Sequence, residues 1–127
     1  LNLMAVSSDN TVIPFFDAAT KALFLTPSAL DPSFGKGWRL NTVDHMNFTF
    51  GDHASARAFG HTGWTGCVMI HDPEYQLTIA YLANRKHSHV VNPEKNPNLF
   101  YGDLYPAGIY RNVMNAVYQD LGIAKTA

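Results

Sequence analysis

An α+β domain, with an antiparallel sheet of about three to four strands and an N-terminal and a C-terminal helix packed on it, is the fold class this sequence predicts. The runs Cys67 to His71 and Leu77 to Asn84 flank Asp72-Pro73-Glu74-Tyr75, a turn-forming sequence, and together read as a well-buried antiparallel hairpin. Apolar residues near both chain ends recur instead at helical spacing. The 127 residues suit one domain, spanning 1–127, and 46% hydrophobic with 13% aromatic residues supply a core.

Taken in order, Ser7-Ser8-Asp9-Asn10 has the composition of a turn. Within Thr11 to Leu25, the spacing of Phe15, Ala18, Ala19, Ala22 and Leu23 predicts a helix from about Asp17 to Leu25. Thr26-Pro27-Ser28 and Asp31-Pro32-Ser33 end it in a surface loop, because a residue before proline is pushed out of the helical region. Gly35 to Asn41 reads as a short strand around Trp38 and Leu40, and Asn41 to Ser55 as a polar connection in which Phe48 and Phe50 alternate briefly. Arg85 to Asp103 is polar and punctuated by prolines, as in a long surface excursion. Pro106 opens a final helix with Ile109, Val113, Val117 and Leu121 as its apolar stripe and Gly122 as its stop.

Charge and composition remove several function classes. Nine basic and ten acidic residues, without blocks, give a net charge of −1, which offers no stripe for nucleic acid and no polybasic segment for a membrane surface. The longest apolar runs, Val12 to Phe16 and Ala22 to Leu25, are far shorter than a bilayer span, and no basic-then-apolar leader is present. Cys67 is the only cysteine, which excludes an intrachain disulfide; between Gly66 and Val68 it reads as a buried structural thiol. Of six histidines, His45 and His53 stand apart in a presumed loop. His87 and His89 alternate beside Arg85 and Lys86 without a third ligand, and His71 ends a strand, so no metal or cofactor is expected. Trp38 and Phe59 read as core or pocket wall.

Chemistry concentrates in Phe59-Gly60-His61-Thr62-Gly63-Trp64-Thr65-Gly66, where glycines recur at every third position around an imidazole. Glycine in a strand pattern marks either a bulge or twist of the hairpin, or a place where a ligand or another backbone comes close. Together with Gly35-Lys36-Gly37-Trp38 before it, and Asp72-Pro73 and Leu82-Ala83-Asn84-Arg85 after it, the stretch resembles the C-terminal part of the serine β-lactamase and penicillin-binding-protein superfamily. The similarity is nearest to class C-like β-lactamases, esterases and D-alanyl-D-alanine peptidases, whose third motif is often His-Thr-Gly where others have Lys-Thr-Gly. Each element alone is weak, but their order and spacing cover nearly the whole chain, with Arg85 to Asp103 least matched.

The resemblance implies an enzyme whose serine attacks a carbonyl carbon and forms a covalent acyl intermediate. His61 would replace the family's lysine, binding a substrate carboxylate or holding the proton-transfer network, and Thr62 would offer its hydroxyl to the same group. Gly63 would admit substrate close to the backbone. The N–H of Trp64 would be one of two oxyanion-hole donors, a contribution of about 3 kcal/mol to transition-state stabilisation. Asn84 and Arg85 match a position at the end of the last strand, with a structural role in holding the following loop. The substrate would be a peptide, β-lactam or ester.

The nucleophile and base expected of such an enzyme are not found. Ser33-Phe34-Gly35-Lys36 spells Ser-x-x-Lys, but Pro32 and Gly35 oppose a helix there, and Tyr110 to Asn112 lies on the final helix, away from the site. The expectation is therefore an inactive C-terminal fragment of a serine acyl-transfer hydrolase, without catalytic residues of its own. Leu77 to Asn84 would normally pair with an N-terminal strand, so a bare edge is expected to drive self-association. By analogy the location is the cell envelope, outside the cytoplasm. The alternative is a non-catalytic binding or interaction module that retains this half of the fold.

Overall fold

The computed structural model describes residues 4–6, 12–14 and 16–123. Strands β1 (Met4–Val6) and β2 (Val12–Pro14) pair as an antiparallel ribbon, where the helical spacing around Phe15 had given no hint of strand. The turn expected at Ser7 to Asn10 lies outside the described residues. Helix α1 (Ala18–Leu25) begins where the sequence places it, because Asp17 Oδ1 accepts the Thr20 N–H at 2.6 Å as an N-cap. It ends at Thr26, held extended before Pro27.

The central sheet contains β3 (Arg39–Leu40), β4 (Phe59–Thr62), β5 (Val68–Asp72) and β6 (Leu77–Tyr81), antiparallel and in that spatial order. The expected hairpin is β5–β6, with register from Val68 opposite Tyr81 to Asp72 opposite Leu77. Val68, Ile70 and Asp72 point inward on β5, the period of two that a sheet with one covered face requires. Between β3 and β4 the connection is helical: a 3₁₀ turn at Asp44–Met46 runs into α2 (Asn47–Phe50). Phe48 and Phe50 therefore do not alternate as on a strand; Phe50 is fully buried while Phe48 is exposed. The polar excursion is also more ordered than its composition suggested, since β7 (Val90–Asn92) and β8 (Asn96–Phe100) form a second ribbon.

Helix α3 (Tyr110–Asp120) covers the inner face of the sheet. Its buried row is Tyr110, Met114 and Tyr118, packed with Val68, Ile70, Ile79, Met46 and Phe50. The stripe expected from hydropathy is one position off: Val113 and Val117 are half-buried and Ile109 and Leu121 exposed. One residue is about 100° of helix rotation. The rotation is set by hydroxyl groups, since Tyr110 donates to Cys67 O at 3.1 Å and Tyr118 to Asp72 Oδ2 at 2.8 Å. Gly122 ends the helix as expected, its N–H and that of Ile123 returning to the Gln119 and Tyr118 carbonyls.

Among the described residues Asp72 is the one buried acidic group, with 0% exposure. Oδ1 accepts from Ser55 Oγ at 2.6 Å and Glu74 N at 3.2 Å, and Oδ2 from Ser55 N and Tyr118 Oη at 2.8 Å each. All of these partners donate, and together they fill the lone pairs of the carboxylate. Burial, reinforced by the bond to Asp72, pushes the Tyr118 hydroxyl above the ordinary tyrosine range and keeps it a donor. Asp72→Ala would strand two hydroxyls and two backbone N–H groups without an acceptor and lower stability by about 3 kcal/mol or more, against about 2 kcal/mol for Tyr118→Phe. Urea denaturation of the two variants checks both the size and the order of these losses.

Candidate functional site

The glycine-rich stretch is a strand end and a turn. Phe59–Thr62 form β4, residues 63–67 make the connection to β5, and Gly63 N–H donates to Cys67 O at 2.7 Å. Within the turn, Gly66 N–H donates to Gly63 O at 3.0 Å. In a trans peptide the carbonyl of one residue and the N–H of the next point in opposite directions. With Gly63 C=O directed into the turn, Trp64 N–H is directed out of it, and it meets no acceptor among the described residues.

The edge of β4 beside this N–H is open. Strand β3 pairs only Arg39 with Gly60 and Leu40 with Phe59, so no strand covers His61 and Thr62 on that side among the described residues. His61 is exposed, and its Nδ1 lies 2.8 Å from Thr62 O, which makes Nδ1–H the donor and leaves Nε2 outward. The half-buried Thr62 hydroxyl makes no hydrogen bond among the described residues. The Trp64 indole is 68% exposed and meets the Phe100 ring edge-on at 6.0 Å. The four residues named from sequence follow one another from the end of β4 into the turn: an imidazole, a hydroxyl, a glycine with room for a Cβ, and an N–H without an acceptor among the described residues.

The three glycines differ in purpose. A Cβ on Gly60 would lie 2.2 Å from Met69 O and 2.7 Å from Ile70 Cγ2, so β5 demands glycine there. Gly66 has φ +110°, and a Cβ would lie 2.5 Å from Arg85 Cγ. At Gly63 the nearest atom would be Cys67 Cβ at 3.5 Å, an ordinary contact, so the fold of this chain does not require glycine at that position.

Behind the turn sits Arg85, whose importance was underestimated from sequence because its partners are distant along the chain. Its Nε is 3.0 Å from Asp103 Oδ1, an ion pair without hydrogen-bond alignment, its Nη1 donates to Gly108 O, and its guanidinium lies 4.4 Å from the Tyr110 ring centroid. Lys86 Nζ completes the cluster at 2.8 Å from Asp103 Oδ2 and 4.5 Å from the Phe100 ring centroid. Burial opposes the charge of Asp103, but the bonds from Lys86 and from Phe100 N–H outweigh it and hold the carboxyl below its usual range. Cys67 is half-buried, with Sγ donating to Ala83 O at 3.2 Å.

The other expected features fall elsewhere. Ser33 is buried with Oγ donating to Asp31 Oδ1 at 2.7 Å, and Ser33–Lys36 is not helical. Tyr110 spends its hydroxyl on Cys67 O, directly behind the turn. Trp38 packs edge-on against Phe59 at 5.5 Å and Phe59 against His71 at 5.4 Å, a wall at the near end of β4. Among the described residues, no cluster of three His, Cys, Asp or Glu could hold a metal, and no helix is long and apolar enough to cross a membrane. Cavities of about 330 Å³ around Asn41, Asp44 and Asp52, and of about 270 Å³ around Leu25, Leu40 and Phe59, do not reach His61–Trp64.

An α+β domain with an antiparallel sheet, a covering C-terminal helix and a His-Thr-Gly strand end is the arrangement found in serine penicillin-recognising proteins. The chain belongs to the beta-lactamase family, whose pattern matches residues 7–103. It is 53% identical over 107 residues to the N-acetylmuramyl-L-alanine amidase of Bacillus subtilis (strain 168), covering 84% of this chain and 24% of that protein. It is 44% identical over 109 residues to the putative D-alanyl-D-alanine carboxypeptidase of Escherichia coli (strain K12), covering 86% of this chain and 25% of that protein. The chain thus spans about a quarter of the length of these curated relatives. No solved structure matches it.

The glycine contrast can be measured directly. Gly60→Ala is expected to cost about 3 kcal/mol through overpacking against β5, and Gly63→Ala less than about 0.5 kcal/mol. Thermal or urea denaturation that found equal losses would assign Gly63 to the fold instead of to a ligand.

Proposed function

We propose that this chain is the C-terminal, substrate-binding part of a serine acyl-transfer hydrolase that acts on a peptide, β-lactam or ester carbonyl. The observation that carries the proposal is the outward Trp64 N–H beside an uncovered strand edge. A carbonyl oxygen placed there gains charge as it is attacked, and a fixed backbone donor stabilises that charge without reorganisation. The open edge of β4 can accept an extended substrate as an added strand, with Gly63 allowing close approach. His61 Nε2 and the Thr62 hydroxyl then face the acyl portion as hydrogen-bonding groups. The relatives named as an N-acetylmuramyl-L-alanine amidase and a D-alanyl-D-alanine carboxypeptidase favour an amide carbonyl in a cell-wall peptide, with the protein at the cell envelope.

In this proposal the nucleophilic serine and its base come from sequence outside residues 1–127, and the chain alone is inactive. A longer protein that includes this chain should be labelled covalently by a fluorescent penicillin, and the 127-residue chain should not. Label on the isolated chain would place a nucleophile within it. Absence of label and of ester or amide hydrolysis in the longer protein would favour a binding module that retains this half of the fold.

The same proposal extends to β6. Among the described residues it pairs with β5 alone, so the Leu77–Tyr81 edge presents unpaired backbone groups, with Leu82 beyond it 80% exposed. We propose that the isolated chain self-associates through this edge. Small-angle scattering at rising concentration should give a mass above that of one chain, and a single-chain mass throughout would refute the pairing.

A further inference from the structure

We infer that Arg85 is a positioning residue for the Trp64 N–H: it sets the direction of the oxyanion donor from behind the turn, an assignment that rests on the acyl-transfer function proposed above. The coupling follows a short path. Arg85 Cγ, Cδ and Nε occupy the space a side chain at Gly66 would need, at 2.5, 2.8 and 2.8 Å from that ideal Cβ position. Gly66 N–H in turn holds Gly63 C=O at 3.0 Å. The peptide plane between Gly63 and Trp64 is thereby fixed, and the N–H on its other side with it.

Arg85 can act as a stop because it is itself immobilised from three directions. Asp103 pairs with Nε, Gly108 O accepts from Nη1, and the Tyr110 ring lies against the guanidinium plane. Gly102 leaves room at the backbone end of the same residue, where a Cβ would fall 2.8 Å from Arg85 Cβ and 2.5 Å from its carbonyl oxygen. Two glycines, one on the substrate turn and one in the segment after β8, thus leave room for one arginine. Tyr110 adds a second restraint on the turn through its bond to Cys67 O at 3.1 Å. Nothing in the sheet ladder itself needs Arg85, since β4, β5 and β6 are paired without it.

The test combines turnover with hydrogen exchange in the longer protein that contains this chain. Arg85→Ala should lower kcat about tenfold or more toward a chromogenic β-lactam or a p-nitrophenyl ester, with KM changed less than about twofold, because the donor acts mainly in the transition state. Amide exchange by mass spectrometry should rise about tenfold over residues 63–67 and stay unchanged over 68–72. Arg85→Lys, which keeps the ion pair with Asp103 but not the planar stack, should show the same kcat loss with less effect on stability, and Tyr110→Phe a smaller one. Unchanged exchange over 63–67 in all three variants, or a loss borne by KM instead of kcat, overturns the assignment. If the unmodified protein turns over neither substrate, the acyl-transfer function falls, and the exchange result still decides whether Arg85 clamps the turn.

Discussion

The buried carboxylate of Asp72 is the interaction on which the rest of the structure depends. It ends the inward row of β5, and its four donors come from the loop before β4, from the hairpin turn and from α3. Removing a carboxyl group from water is costly unless its lone pairs are filled by donors. That requirement gives one geometry to three segments far apart in sequence. Ser55 is fixed by two of the bonds, and Ala58 N–H returns to Ser55 O at 3.1 Å, so the residue just before β4 is set. From there β4 runs four residues, about 13 Å, to the His61–Thr62 end.

Strand β4 is therefore held at both ends by different means. At the near end Trp38, Phe59 and His71 stack edge to edge and Gly60 lies against β5 without room for a methyl group. At the far end the restraint is the Arg85 cluster. Between them, Gly63 is under no steric demand from the fold, the one glycine of the three where a Cβ would meet only ordinary contacts. The proposed function would benefit from this arrangement, since a donor held rigid before a substrate arrives loses little entropy on binding.

The hairpin β5–β6 and the extent of α1 were legible in the sequence because their causes are local: alternation around a turn former, and apolar residues at helical spacing closed by a proline. The His61–Trp64 surface was legible only through its likeness to a family motif. Periodicity misplaced the face of α3 because hydropathy credits Ile109 and Leu121 and discounts Tyr110 and Tyr118, whose hydroxyls have buried partners elsewhere. The 85–103 segment looked unstructured because its order comes from β7–β8 backbone pairing and from Lys86 and Arg85 meeting Asp103 across 17 and 18 positions of chain. Such contacts leave no periodic trace. The Trp64 N–H was likewise named only through that resemblance, since its direction follows from one carbonyl in the turn.

The openness of the β4 edge has a cause in the segment Gly35-Lys36-Gly37-Trp38. Continued backward in antiparallel register, β3 would place Trp38 and Gly37 opposite His61 and Thr62 and consume the groups a substrate would need. The chain instead folds on itself there: Gly35 N–H donates to Trp38 O at 2.9 Å, Gly37 adopts φ +81°, and Phe34 bridges Arg39. Helix α1 supports this turn from outside, with Lys36 N–H donating to Phe24 O at 2.9 Å and Gly35 close enough to the same carbonyl that a Cβ would lie 2.3 Å away. A helix that contributes no fully buried residue thus has a role beyond covering the sheet. By fixing where β3 begins, it keeps His61 and Thr62 free of a neighbouring strand.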